Sequence, residues 1–177
     1  RQPTGVAMAP DGGYYIVSFA RVNRVDSNGM ISVFAGTGRS GIGGDGVSAT
    51  DSALTGNAKA IAVGPDGSVY IADSTRVRRV GLDGIIKTVA GTEVGGFSGD
   101  EGPATQAQLI FVTGIAVAAD GTLYIADGFN KRIRKVSPDG IITTFAGSGS
   151  SDFSEDGVPA RNAGLDFPRH LAIGPDG

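Results

Sequence analysis

One stretch of sequence occurs three times in this chain, and this repetition restricts the fold more than any other feature. Residues 61–73 read IAVGPDGSVYIAD and return at residues 115–127 as IAVAADGTLYIAD. A diverged copy occupies residues 6–18, and a partial copy occupies residues 171–177. Spacings of 55, 54 and 56 residues separate the turn aspartates of these copies, which are Asp11, Asp66, Asp120 and Asp176. A fixed period of this length is typical of repeat architectures, so the structure of one unit predicts the others.

Each unit predicts four short strands joined by tight turns. In the second unit the turns are Pro65-Asp66-Gly67 and Asp83-Gly84, and the strands are Ala60–Val63, Ser68–Ala72, Arg76–Val80 and Ile86–Ala90. A glycine-rich excursion follows and ends in one short helical turn, predicted at residues 48–54, 103–109 and 159–165. This pattern favours a β-propeller blade. A β-solenoid usually has shorter rungs, and a β-sandwich would not explain the internal copies.

The third unit resembles a known repeat. Residues 114–127 read GIAVAADGTLYIAD and residues 130–140 read NKRIRKVSPDG, a pattern similar to the NHL repeat, which builds six-bladed β-propellers. The inserted element at residues 96–104, GFSGDEGPA, resembles a long-blade variety found in many bacterial proteins and in teneurin-like adhesion proteins. The resemblance covers essentially the whole chain. It implies an all-β propeller of four-stranded blades, but not one activity, because propellers host many unrelated functions.

The repeat boundaries predict about three blades, at residues 1–59, 60–113 and 114–169, with residues 170–177 as the inner strand of a further blade. Three blades do not close a ring, since closed propellers use about four to eight. Three arrangements remain open. The chain is part of a longer array, or two chains close a six-bladed ring, or chains join head to tail with the last strand pairing with the next subunit.

Charged residues follow the repeat. Nine of the 15 basic residues lie on the predicted third strands of the units. We expect solvated strand faces and structural ion pairs, with Asp73 pairing with Arg76 and Asp127 pairing with Arg132. The net charge of −3 and the lack of interleaved aromatic residues argue against a nucleic-acid partner. No apolar run approaches 18 residues, so we predict no membrane span. The chain has no cysteine, which excludes disulfides and thiolate metal sites.

Residues suited to catalysis or metal binding are few. The single histidine, His170, is predicted at the start of an inner strand, near the end of a propeller channel. We interpret it as a tolerated substitution in preference to a channel ligand or a catalytic base. Asp100 and Glu101 are weak candidates for a Ca²⁺ site, as His170 is for a metal, but their loop lacks the spacing of a known calcium loop. We therefore predict no catalytic residue, metal or cofactor.

The sequence favours a non-enzymatic scaffold for protein interaction, adhesion or self-assembly, with a second copy of the chain as the first candidate partner. The predicted binding surface is the face formed by the glycine-rich loops, with Phe97, Asp100, Glu101, Phe153 and Asp156. For the two phenylalanines, pinning the loop to its blade is the favoured role. The alternative function is a metal-dependent hydrolase or lyase completed by other blades or subunits. An extracellular or cell-surface location is expected from the loop composition and the resemblance.

Overall fold

The computed structural model describes residues 2–152 and 154–174 as three successive antiparallel sheets. The first sheet contains β1 (Gly5–Met8), β2 (Tyr14–Ser18), β3 (Arg21–Val25) and β4 (Ile31–Ala35). The second contains β5 (Val47–Ser48), β6 (Ala58–Val63), β7 (Val69–Asp73), β8 (Arg76–Val80) and β9 (Ile85–Gly91). The third contains β10 (Gly102–Pro103), β11 (Val112–Val117), β12 (Leu123–Asp127), β13 (Arg132–Val136) and β14 (Ile141–Ala146).

The tight turns form where the Asp-Gly pairs occur. Asp66 Oδ1 accepts a hydrogen bond from the backbone N–H of Ser68 at 3.0 Å, and Asp120 Oδ1 accepts one from Thr122 at 2.9 Å. Gly67, which lies between Asp66 and Ser68, has a φ of 79°, which a residue with a side chain rarely adopts. These turns connect β6 to β7 and β11 to β12. The basic strands β3, β8 and β13 begin and end at the predicted residues.

The outermost strands of the second and third sheets come from the glycine-rich excursion of the preceding unit. β5 pairs with β9 through Val47 and Ile86, and β10 pairs with β14 through Gly102 and Ile142. Each excursion therefore crosses to the outer edge of the next sheet before the chain returns to the inner strand of that sheet. The predicted helical turns are 3₁₀ turns at Ala104–Gln106 and Ala160–Asn162, whereas residues 48–54 form a turn without helix.

Two apolar clusters join the three sheets. Val17 of the first sheet packs in one cluster with Ile71 and Ile86 of the second, and all three are fully buried. In the other cluster, Ala72 of the second sheet packs with Ile125 of the third. Burial of a large aliphatic side chain stabilises a fold by about 1.5–3 kcal/mol, so these two clusters contribute strongly to holding neighbouring sheets together.

The prediction of an all-β fold is confirmed. The number of blades in a complete ring and the unit boundaries at residues 59, 113 and 169 stay predictions. Residues 170–174, expected to form an inner strand, are not part of a strand, and residues 175–177 of that prediction lie outside the described residues. In the part of the chain that the structure describes, no helix has the length and apolar character needed to cross a membrane.

Candidate functional site

The glycine-rich excursions carry three equivalent segments, here named arm 1 (residues 43–49), arm 2 (residues 98–104) and arm 3 (residues 154–160). Arm 1 crosses to the second sheet, where Arg78 of β8 is fully buried. The Nη2 atom of Arg78 donates to Asp45 Oδ1 at 2.9 Å and to the carbonyl of Gly44 at 2.8 Å. A buried guanidinium requires such acceptors, because a charge removed from water without them is very costly. We call this arrangement the clasp.

The clasp recurs between arm 2 and the third sheet. Arg134 of β13 is fully buried, and its Nη2 atom donates to Asp100 Oδ1 at 2.8 Å and to the carbonyl of Ser98 at 3.1 Å. The other carboxylate oxygen of Asp100 accepts a hydrogen bond from the hydroxyl of Thr144 at 2.7 Å. Asp100 was predicted as a binding-surface residue and a weak Ca²⁺ ligand. Both of its carboxylate oxygens accept hydrogen bonds from the third sheet, and its role in binding stays a prediction.

Burial also perturbs the ionisable groups under the arms. Burial, followed by the like charge of Arg76, lowers the pKa of the Arg78 guanidinium, and Asp45 and Asp73 oppose this change. Burial raises the pKa of the Asp127 carboxyl, and hydrogen bonds from Ile110 and Asn130 oppose this rise. The prediction that the basic strands are solvated is therefore wrong for Arg78 and Arg134. Sequence spacing offers a signal for both, since each follows an arm aspartate by 33 or 34 residues.

The two predicted pairs beside the clasps differ. Arg76 Nη2 lies 3.9 Å from Asp73 Oδ2, a loose ion pair, while Asp73 Oδ1 accepts hydrogen bonds from the backbone and hydroxyl of Thr55. Asp127 Oδ2 lies 3.5 Å from Nη1 of Arg134. Arg132, the expected partner of Asp127, instead donates to the carbonyls of its neighbours Asn130 and Ser148. Asp127 and Arg132 face each other in the strand register. The cation that Asp127 approaches is nevertheless Arg134, which lies diagonally across from it on the neighbouring strand.

Phe97 lies between arm 2 and the third sheet. The guanidinium carbon of Arg132 lies 3.9 Å from the centre of its ring, and that of Arg134 lies 4.9 Å away. A cation over an aromatic face attracts the ring, so Phe97 holds the loop against the sheet. Phe97 nevertheless remains 43% exposed. Phe153, its predicted counterpart in the third unit, lies outside the described residues.

The remaining predicted site residues are exposed. Glu101 has a left-handed φ of 66°, and its backbone N–H donates to the carbonyl of Ile142 at 2.7 Å. Asp156 of arm 3 forms no ion pair or side-chain hydrogen bond with any other described residue. His170 lines a cleft together with Lys59. Within residues 2–152 and 154–174, no three acidic or histidine side chains come together as a metal site would require.

Comparisons with known proteins agree with the repeat pattern. A family model described as the teneurin NHL domain matches residues 38–96 and 95–175. Teneurin-3 of Danio rerio is 31% identical over 99% of the chain, and teneurin-m of Drosophila melanogaster is 26% identical over 98%. The chain spans about 7% of the length of each of these relatives.

Solved structures share the fold at low sequence identity. A structural genomics protein of unknown function from Bacteroides thetaiotaomicron has a TM-score of 0.72 and 22% identity, covering 95% of this chain and 41% of its own. A streptogramin B lyase has a TM-score of 0.62 and 16% identity, covering 98% of this chain and 45% of its own. At such identities the likeness shows the fold alone.

Proposed function

Since the chain belongs to the teneurin NHL-domain family, we propose that it is a non-enzymatic β-propeller scaffold for protein interaction at the cell surface or outside the cell. In this role, its three sheets continue into further sheets through the same clasp that already joins them. The resulting surface is rigid, because arms 1 and 2 are each held by a buried cation of the next sheet. Rigid scaffolds that present loops are well suited to binding partners.

The observation that carries this proposal is the exposed edge of the first sheet. Ile31 of β4 is 63% exposed, whereas Ile86 and Ile142, at the same position of the next two sheets, are fully buried. The two buried residues lie under β5 and β10, the strands that the arms provide. The first sheet contains four strands and has no such cover among the described residues. An open edge with apolar side chains is a site for strand addition.

Arm 3 has the complementary property. Its base is fixed as in arm 1, because the backbone N–H of Gly147 donates to the carbonyl of Ala160 at 2.9 Å, as Gly36 does to Ala49 at 2.8 Å. Its aspartate, Asp156, has no cation partner among the described residues. Arm 3 is therefore held in position for a sheet whose third strand carries a buried arginine.

A second copy of this chain does not offer that sheet. The first sheet has Asn23 where the others have Arg78 and Arg134, and Val33 where they have Thr88 and Thr144. Asp156 would lose both donors that its counterparts use. This mismatch favours a further NHL sheet in a longer polypeptide over a ring or filament of identical chains.

The test extends the chain by one unit, with a second copy of residues 114–169 placed after Arg169. In the extended chain, Asp156→Ala should lower the free energy of unfolding by about 3 kcal/mol, as removal of one partner of a buried pair does. In the 177-residue chain the same change should have almost no effect. Glu155→Ala, an exposed neighbour in arm 3, is the matched control.

Light scattering distinguishes the alternatives. We expect the 177-residue chain to be monomeric, apart from weak association through its open edge. If the particle mass doubles and Asp156→Ala abolishes the doubling, a second copy occupies arm 3 and continuation within one chain is refuted. If Asp156→Ala is neutral in the extended chain, arm 3 does not clasp a following sheet.

A further inference from the structure

A cleft with cationic and aromatic walls opens where the inner strands of the second and third sheets begin. Its volume is about 320 Å³, and its lining includes Thr4, Lys59, Phe111, Phe167, Arg169 and His170. This volume lies at the lower end of the range of about 300–1,000 Å³ that is usual for small-molecule sites. The cleft lies away from the clasps and takes no part in the scaffold function proposed above.

Phe111 and Phe167 form the aromatic wall of the cleft, and Phe129 packs against both rings next to it. The ring centres of Phe111 and Phe129 are 4.9 Å apart, and those of Phe129 and Phe167 are 5.2 Å apart. Phe129 is 58% exposed, so a large apolar face remains open to water. A ligand with an apolar body would cover that face and gain the associated hydrophobic free energy.

Two of these phenylalanines have an unusual backbone conformation. Phe111 and Phe167 have left-handed φ values of 57° and 49°, and the equivalent position of the first unit is Gly56, with a φ of 81°. A bulky residue in this region is strained, and such strain is concentrated at ligand-binding and active sites. The second and third units thus place a ring where the first unit has only a glycine turn.

Two cations border the aromatic wall. Lys59 Nζ lies 5.7 Å from the ring centre of Phe111, and the guanidinium carbon of Arg169 lies 5.2 Å from that of Phe167. Neither forms an ion pair with a carboxylate among residues 2–152 and 154–174. The positive charge of this cleft is therefore not neutralised by the described part of the chain.

Lys59 and Arg169 occupy the same repeat position and both replace the threonine found there in the other copies. Thr4, just before β1, and Thr113, in β11, occupy this position at two other inner strands, and their hydroxyls donate to the carbonyls of Ala58 at 2.8 Å and Pro168 at 2.6 Å. Those threonines join neighbouring inner segments. Lys59 forms no such hydrogen bond with another described residue, and its ammonium group borders the cleft.

We propose that this cleft binds small organic carboxylates with an apolar body. The carboxylate lies between Lys59 and Arg169, where charge-assisted hydrogen bonds form, and the apolar body lies on Phe111, Phe129 and Phe167. Both halves of the ligand are needed, since the cations select the charge and the rings select the body.

The probes are phenylacetate, its neutral analogue phenylacetamide, and acetate, which lacks the ring. Titration of the 177-residue chain, followed by amide shifts in ¹H–¹⁵N spectra, should show saturable binding of phenylacetate with shifts at residues 111–113, 167, 169 and 170. Phenylacetamide and acetate should each bind at least about tenfold more weakly, because one charged contact or one apolar contact is lost. Equal binding of phenylacetate and phenylacetamide would overturn the proposal.

Variants locate the site. Lys59→Met and Arg169→Met should each weaken phenylacetate binding by about tenfold, whereas Lys87→Met, the same change at an exposed position of β9, should leave it unchanged. Phe129→Ala should weaken phenylacetate binding without altering the affinity for acetate. Equal losses in all three methionine variants would show a non-specific charge effect.

A peptide probe distinguishes a small ligand from a protein segment. N-acetyl-Glu-Phe-amide carries a carboxylate and a ring on a peptide backbone. If this peptide saturates the cleft and phenylacetate does not, the cleft recognises protein segments and the proposal for small carboxylates fails. Retention of the circular dichroism spectrum and the melting temperature in each variant confirms that the fold is intact.

Discussion

Replacement of Asp100 by alanine removes the carboxylate of the second clasp and leaves the guanidinium of Arg134 without its nearest acceptor. Loss of one partner of a buried ion pair typically costs about 3–5 kcal/mol. Arg134 keeps the carbonyl of Ser98 at 3.1 Å and the carboxylate of Asp127 at 3.5 Å, which reduces the loss. The hydroxyl of Thr144 also loses its acceptor, but it lies near solvent. We therefore expect a decrease of about 3 kcal/mol in the free energy of unfolding.

The assay is urea unfolding followed by circular dichroism, with hydrogen exchange to locate the loss. Exchange should accelerate first at Glu101 and Ala104, whose N–H groups donate to the carbonyls of Ile142 and Gly140. In an Arg134→Met background, Asp100→Ala should cost about 1–2 kcal/mol less than in the native chain, because no buried cation is left unpaired. A loss below about 0.5 kcal/mol in the native chain, or an equal loss in both backgrounds, would refute the role of the clasp.

Three further predictions follow from matched positions of the repeat. Glu101→Gly should raise the free energy of unfolding by about 0.5–1 kcal/mol, because it removes the strain of a left-handed φ; an unchanged urea midpoint would contradict this. Ile86→Ala should cost about 2–5 kcal/mol, whereas Ile31→Ala should cost less than about 0.5, and equal urea midpoints for the two variants would contradict the open edge. The backbone N–H of Thr122 lowers the pKa of Asp120, and for Asp66 hydrogen bonds from Arg79 and Ser68 outweigh the opposing effect of burial. Because both pKa values are lowered on folding, these carboxylates stabilise the fold above the ordinary aspartate pKa of about 4, and that stability is lost as the pH falls through the lowered values. The difference in melting temperature between the native chain and Asp120→Asn should therefore shrink towards pH 2; a constant difference would contradict this assignment.

The clasps connect the fold with the proposed function. Arms 1 and 2 each cross from one sheet to the next and end on a buried arginine, so neighbouring sheets are joined by strand pairing, apolar packing and an ion pair together. The glycine-rich excursions are therefore structural connectors as well as the predicted binding surface. Partners would contact the outer side of the loops, where Phe97 remains partly exposed above Arg132.

The sequence alone determined the repeat, the strand positions and the turns. These features depend on contacts between residues close in the chain, such as Asp66 with Ser68, and every copy of the repeat contains the same local signal. It also indicated the family, because the turn and strand residues that define an NHL unit are contiguous.

Only the tertiary structure decided which side chains meet across the sheets. Asp127 pairs with Arg134 and not with the expected Arg132, and Asp100 crosses 34 residues of sequence to reach the same guanidinium. The cleft beside Lys59 likewise gathers residues from three units. Such contacts depend on the path of each arm over the next sheet, and a repeating local pattern specifies the sheets but not the long-range pairing between them.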